Sequence, residues 1–285
     1  MQQLKIFIEL TRLNKPIGFM LLFWPCSWGL TYAYKINQNT HLYVYYLILF
    51  FLGSVLMRSA GCIVNDLVDK DFDKRVNRTK SRPIASKKIS IIQSLVYVLI
   101  LCSLSFVILI QFNFLTILLG VGSMVPAFLY PYMKRITYWP QLFLGFTFNW
   151  GIIMAWTALN GYISYEIIVL YISAIFWTLG YDTIYGVQDI YDDEIIGLKS
   201  TAVKFKKNIK QFVAMSYLIT VISIYYLFNS IIGLNLFTLL LFLFVLSLIY
   251  QIINFERNNS KTCLNMFKLN NVSGSILFLA LLSIN

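Results

Sequence analysis

Nine of the twelve acidic residues in this 285-residue chain stand in two short runs, Asp66-Asp69-Asp71-Asp73 and Asp182-Asp189-Asp192-Asp193-Glu194. A carboxylate in or beside hydrocarbon is costly unless it meets a cation or water, so such acids mark functional sites by default. Two runs more than 100 residues apart point to one shared metal site. At 100° per helical residue, Asp66, Asp69 and Asp73 fall within about 60° of one another and Asp71 points about 140° away from Asp66. Asp69 and Asp73 are an i, i+4 pair that would repel if unpaired. A hard divalent cation such as Mg²⁺ removes that repulsion, prefers carboxylate oxygen and keeps open positions for substrate phosphates. The competing reading is a solvated helix end.

The second run repeats the pattern. Asp182, Asp189 and Asp193 share a stripe about 40° wide, and Asp192 and Glu194 turn away from it. Asp182 lies about two turns deeper than Asp189, between Tyr181 and Tyr185, where a merely solvated acid is unexpected. Asp189 and Asp193 are the better metal ligands, with Asp182 placed to orient them, a substrate or a water. Lys70, Lys74, Arg75, Arg78, Lys80, Arg82, Lys87 and Lys88 interleave or follow the first run, and Lys199 and Lys204 follow the second. Mg²⁺ flanked by Arg and Lys binds a diphosphate and stabilises it as a leaving group. Arg78 and Arg82, bracketing a loop that Pro83 helps to end, are the chosen contacts; many of the other bases are topological anchors.

Arg58 lies on the stripe of Asn65 and Asp69, about 16 Å below Asp69 at 1.5 Å per residue, and no acid in its helix is spaced to pair with it. An unpaired intramembrane Arg calls for an anion. The alternative is a structural Arg held by backbone carbonyls or by an acid on a neighbouring helix.

The elements that position these residues follow from composition. With 59% hydrophobic and 12% charged residues and a mean hydropathy of +0.71, the chain lies outside the range of soluble domains. Apolar runs long enough to cross a bilayer fall at 17–35, 42–64, 89–110, 114–131, 140–159, 164–188, 211–228, 232–253 and 269–284. The expected fold is therefore all-α: a polytopic membrane protein with nine transmembrane helices, forming one domain over 1–285 with acid-rich segments at 65–82 and 181–201. Met1 to Lys15 is polar and basic and leads straight into an apolar run, so no cleavable signal peptide is expected. With the N-terminus inside, the bases collect in loops on one face, the cytoplasmic one. Of the 23 Lys and Arg, only Lys35 falls in a loop on the far side and Arg58 falls within a span. Both acidic runs then sit at the cytoplasmic ends of the second and sixth helices.

The net charge of +11 is spread over loops, which fits anionic membrane lipid rather than nucleic acid. Cys26, Cys62, Cys102 and Cys263 form no C-x-x-C pair, so neither a disulfide framework nor a zinc site is expected. His41, the single histidine, stands apart from both acidic runs, which argues against His-based catalysis. No feature calls for an obligatory protein partner.

The stretch from Arg58 through Asn65-Asp66, Asp69 and Asp73 to Arg82-Pro83 resembles the N-D-x-x-D-x-x-x-D region of UbiA-type aromatic prenyltransferases. Tyr181-Asp182 through Asp189 and Asp193, ending in Gly197-Leu198-Lys199-Ser200-Thr201-Ala202, resembles their second acidic region. Within the family, Arg12-Leu-Asn-Lys15-Pro16, Trp24-Pro25 and the Gly197–Ala202 ending look most like the branch acting on 4-hydroxybenzoate. The resemblance covers about residues 10–205. It implies a helical bundle around a central cavity, Mg²⁺ dependence, and transfer from a polyprenyl diphosphate to 4-hydroxybenzoate in ubiquinone biosynthesis, in a bacterial inner membrane. Carried over, Mg²⁺ is held by Asp66, Asp69, Asp73, Asp189 and Asp193 with Asn65 as a neutral partner, and Tyr130 and Lys134 reach the diphosphate. A positive-inside loop with an interfacial aromatic remains the other reading of that pair. Lys199 is a further expected substrate contact, the acceptor carboxylate would supply the anion for Arg58, and Trp24, Tyr32, Tyr130 and Tyr185 are candidate aromatic walls. A magnesium transporter would not need ten interleaved bases, and the D-G-x-x-A-R run of CDP-alcohol phosphotransferases is missing. Sister enzymes acting on homogentisate, a naphthoate or haem are the serious alternative.

Overall fold

A computed structural model describes residues 2–76 and 79–284, so the expected contact Arg78 lies outside the described residues. The described chain is all helix and turn: α1 (Gln2–Thr11), α2 (Ile17–Asn37), α3 (Thr40–Val68), α4 (Lys70–Asp73), α5 (Ile91–Leu109), α6 (Phe114–Gly122), α7 (Met124–Ile136), α8 (Pro140–Asn160), α9 (Tyr165–Gly186), α10 (Ile190–Ile196), α11 (Thr201–Lys204), α12 (Ile209–Phe228), α13 (Leu236–Asn254) and α14 (Ser260–Leu282). Among the described residues, seven segments are long and apolar enough to cross a membrane, with α6–α7 and α9–α10 each counting as one. The expectation of nine crossings is thus met by seven on length and apolarity. The two left over, α2 and α14, are long enough but more polar. α14 starts at Ser260 rather than near 269 because Asn259 caps its first turn, and its Asn265, Asn270 and Asn271 hide it from a search for apolar runs.

Local chemistry starts the helices cleanly. The side chains of Asn39, Ser90, Asn113, Ser164 and Asn235 each accept a hydrogen bond from a first-turn backbone N–H, and Ser90 forms a capping box with Gln93. Small residues then let the helices approach. A Cβ on Gly29 would lie 2.3 Å from the Ile152 carbonyl oxygen, so α2 and α8 meet backbone to backbone. Gly145 lets α8 meet α9 in the same way.

Where lipid offers no hydrogen bonds, buried polar groups must find each other. Trp177 donates to Asn270 (2.9 Å), Asn270 donates to Gln251 (2.8 Å) and Tyr217 donates to the same Gln251 oxygen (2.6 Å), which pins α9, α12, α13 and α14 together. A smaller apolar cluster, including Leu10, Ile63 and Leu101, seats α1 against α3 and α5.

Two interruptions matter for the site. α3 ends at Asp69, whose backbone sits at φ −93°, ψ 2°, and α4 follows at once. α9 ends at Gly186 and passes through a 3-10 turn, Val187–Asp189, into α10, with Asp189 at φ −107°, ψ 0°. Each break falls on an acidic residue.

Candidate active site between two broken helices

Despite the break at Asp69, hydrogen bonds from Asp69 N to Asn65 O (2.9 Å) and from Asp73 N to Asp69 O (2.8 Å) keep the i, i+4 spacing. Asp66, Asp69 and Asp73 are accordingly buried, at 2%, 1% and 6% exposure, and line one cavity of about 1350 Å³. Asp71 faces outward and accepts a hydrogen bond from Lys74 at 2.9 Å, which holds its carboxyl below the usual range. The angular argument from the sequence and the folded positions agree here.

Asp182, Asp189 and Asp193, half-buried, line the same cavity. The second helix is no single rod, so the stripe geometry holds only approximately. Asp192, expected to turn away, also lines the cavity because the 3-10 turn rotates α10 relative to α9. Glu194 does face out and pairs with Lys206.

Bases meet the first acids directly. Arg12 donates to Asp66 at 2.6 Å. Arg82 bridges Asp66 (3.1 Å) and Asp73 (2.9 Å). Lys134 donates to Asp69, and Arg135 stands 3.6 Å from the other Asp69 oxygen, which makes no hydrogen bond. Burial pushes the Asp69 carboxyl above the usual carboxylate range, against the pull of Lys134.

Asn65, Tyr130, Lys134 and Arg58 also line the cavity. The Arg58 guanidinium lies over the Phe148 ring at 5.4 Å, its Nε is buried without a hydrogen-bond partner, and it joins none of the ion pairs among the described residues. Lys199 does not line the cavity. Its ammonium is drawn instead to the carbonyl of Ile136 (3.1 Å), because the chain end of α7 presents unpaired carbonyls to a cation. Of the four aromatic candidates, Tyr130 and Tyr185 line the cavity. Trp24 donates to Asn271 at 2.9 Å, and Tyr32 packs on Trp156 and Phe228.

The sequence reading missed Arg12 and Arg135 as members of this site. Arg12 was visible only as part of the Arg12–Pro16 run, and its pairing with Asp66 follows from α1 folding back over α3. Nor does the sequence point to α14 as part of the cavity wall, to which it contributes Phe267, Lys268 and Asn271.

Seven aspartates, Asp66, Asp69, Asp73, Asp182, Asp189, Asp192 and Asp193, give the cavity wall a hard oxygen donor set, and the buried Asp69 oxygen has no hydrogen-bond donor of its own. Among the described residues no three acidic, His or Cys side chains already form a metal cage. Mg²⁺ binds through one or two carboxylates and completes its shell with waters and phosphate oxygens, and the unpartnered Asp69 oxygen is a ligand of that kind.

Residues 22–273 match the UbiA prenyltransferase family. The chain is 39% identical to the human protein named 4-hydroxybenzoate polyprenyltransferase, mitochondrial, over 98% of its own length and 75% of that protein's. The Caenorhabditis elegans protein of the same name is 46% identical over 74% of this chain and 59% of that one. Among solved structures, a UbiA homolog from Aeropyrum pernix K1 superposes with a TM-score of 0.78 at 24% identity, covering 93% of this chain and 97% of the other. A UbiA homolog from Archaeoglobus fulgidus bound to GPP and Mg²⁺ gives 0.69 at 18%, covering 98% and 100%. These two likenesses show a shared fold.

Proposed function

The chain belongs to the UbiA prenyltransferase family, and from that premise we propose that it transfers a polyprenyl group from polyprenyl diphosphate to 4-hydroxybenzoate, in ubiquinone biosynthesis. The prenyl C–O bond to diphosphate breaks, a C–C bond forms at the ring carbon ortho to the hydroxyl, and that carbon's proton is released to restore the ring. The observation that carries this reading is the convergence of both acidic segments, with Arg12, Arg82 and Lys134 beside the first, on one large cavity. The acceptor comes from relatives that carry 4-hydroxybenzoate in their names at 38–46% identity.

Asp66, Asp69, Asp73, Asp189 and Asp193 would hold Mg²⁺, with Asn65 beside them. When bound, the metal supplies positive charge to the diphosphate oxygens and so favours its departure. Arg82, Arg12 and Lys134 add fixed cations where negative charge builds on the leaving group. Bidentate guanidinium geometry suits phosphate oxygens and holds the group in register. Deeper in the cavity, Met57, Leu144 and Phe148 exclude water from the allylic cation, and Tyr130 and Tyr185 present ring faces to it. Arg58, with an unpartnered Nε over Phe148, holds the acceptor carboxylate and turns the ring so that an ortho carbon faces the cation. Asp182 lines the cavity below Asp189 and orients the acceptor or a water there.

Two contacts support nine crossings, with α2 and α14 as the eighth and ninth. Arg12 touches Asp66 at the inner end of α3, and α2 leads from beside Arg12 to the start of α3 at Thr40, which fits a crossing by α2. Lys35, at the end of α2, donates to the Leu282 carbonyl at the end of α14 (3.0 Å), which fits an outward-running α14. The protein is integral to a membrane; the acid-bearing ends face the base-rich side. The relatives are named mitochondrial, which gives the expected bacterial inner membrane no support.

The test is an assay on membranes containing the chain, with 4-hydroxybenzoate, homogentisate and a naphthoate offered together with a polyprenyl diphosphate. Prenylated 4-hydroxybenzoate should dominate the products. A dominant product from another acceptor would replace the substrate while leaving the family intact.

A further inference from the structure

The short end of α7, Lys134-Arg135-Ile136, touches both acidic segments. On one side Lys134 pairs with Asp69, and Arg135 donates to the Val68 carbonyl at 2.8 Å while standing 3.6 Å from Asp69. The Val68 carbonyl is the last of α3, next to the break that sets the Asp69 carboxylate. The Arg135 guanidinium is further held between the rings of Phe72 (4.9 Å) and Tyr132 (5.5 Å). On the other side the Lys199 backbone N–H donates to the Lys134 carbonyl at 2.8 Å, and the Lys199 ammonium donates to the Ile136 carbonyl at 3.1 Å. Lys199 follows Asp193 after the turn at Gly197, whose φ of +80° lets the chain reverse toward α7.

We propose that Arg135 and Lys199 are positioning residues: they bolt the first and second acidic segments to the end of α7, and thereby fix the separation of the two carboxylate groups. Neither needs to touch the substrate. Groups that orient ligands from behind commonly matter about 10–100-fold for metal affinity or activity; the Arg135 contacts fall at the break of α3, and the Lys199 contacts fall just past the end of α10. A planar guanidinium suits the Arg135 role, since its Nη2 reaches the Val68 carbonyl and stands by the Asp69 carboxylate while its faces lie against two rings. Lys199 contributes through the carbonyls that α7 leaves open at its end.

The kinetic arm rests on the prenyl-transfer reading; the distance arm does not. In the full chain, Arg135→Met and Lys199→Met should each raise the Mg²⁺ concentration for half-maximal rate about tenfold, with KM for the aromatic acceptor little changed. Arg135→Lys keeps the charge but loses the planar face that lies against Phe72 and Tyr132, and should behave like Arg135→Met. Spin labels at Asp71→Cys and Tyr191→Cys, both exposed, in a chain with the four native cysteines replaced, read the separation of the segments directly. Arg135→Met should broaden that distance distribution. Full rescue by Arg135→Lys would overturn the proposal by showing that charge alone matters. An unchanged distance distribution, or failure of both Arg135 variants to accumulate as folded protein, would also overturn it.

Discussion

Asp69 and Asp71 are two residues apart with the same functional group, yet one is buried against Lys134 and the other is exposed against Lys74. Helical angle separates them, and the break at Asp69 preserves that angle because the Asp73 N–H still reaches the Asp69 carbonyl. Asp69→Asn, Asp73→Asn, Asp189→Asn and Asp193→Asn should each lower turnover by about 10²–10³-fold, the scale for removing one preorganised electrostatic contact. Asp71→Asn should stay near wild type; turnover assays on membranes with matched protein levels check the contrast. Arg58 makes a sharper claim. Arg58→Met should weaken apparent binding of 4-hydroxybenzoate by about 2–5 kcal/mol, as for truncating one partner of a buried charge pair. KM for the polyprenyl diphosphate should hardly move. Steady-state kinetics with a second acceptor lacking the carboxylate complete the test: equal losses for both acceptors would assign Arg58 to structure.

At the scale of elements, most long helices were legible because apolar runs of crossing length have few other meanings. α14 was misjudged by about nine residues, since its buried Asn270 is satisfied by Trp177 and Gln251, partners that no local reading supplies. The convergence of Asp66, Asp69 and Asp73 was readable from periodicity. Arg12 and Arg135 were not, because their partners lie 54 and 67 residues away and depend on how α1 and α7 dock. Lys199 shows the converse: a base in the right stretch of sequence is captured by a helix end before it can reach the cavity. Packing of α2 on α8 makes its own prediction. Gly29→Ala places a methyl against the Ile152 carbonyl and should cost about 1–3 kcal/mol by overpacking. A thermal melt in detergent should fall accordingly, whereas Gly61→Ala, where an added Cβ meets nothing inside α3, should hold or raise it.

For the whole molecule, two broken helices meet at one end of the bundle, so irregular backbone sits where it lines a cavity rather than lipid. That arrangement requires both breaks on the same side of the membrane. Single cysteines at Lys80, Lys204 and Lys261 should react with an impermeant reagent from one side, and those at Asn113, Asn160 and Ser230 from the other. Reaction of position 204 together with 113 would separate the two acidic segments. The most direct measurement of a shared site is calorimetric titration of purified protein with a non-reactive polyprenyl diphosphate analogue in the presence of Mg²⁺. Wild type should bind, omission of Mg²⁺ should abolish most of the signal, and Asp69→Asn and Asp189→Asn should weaken binding to a similar degree. Undiminished binding by either variant would contradict the claim that both segments grip one diphosphate.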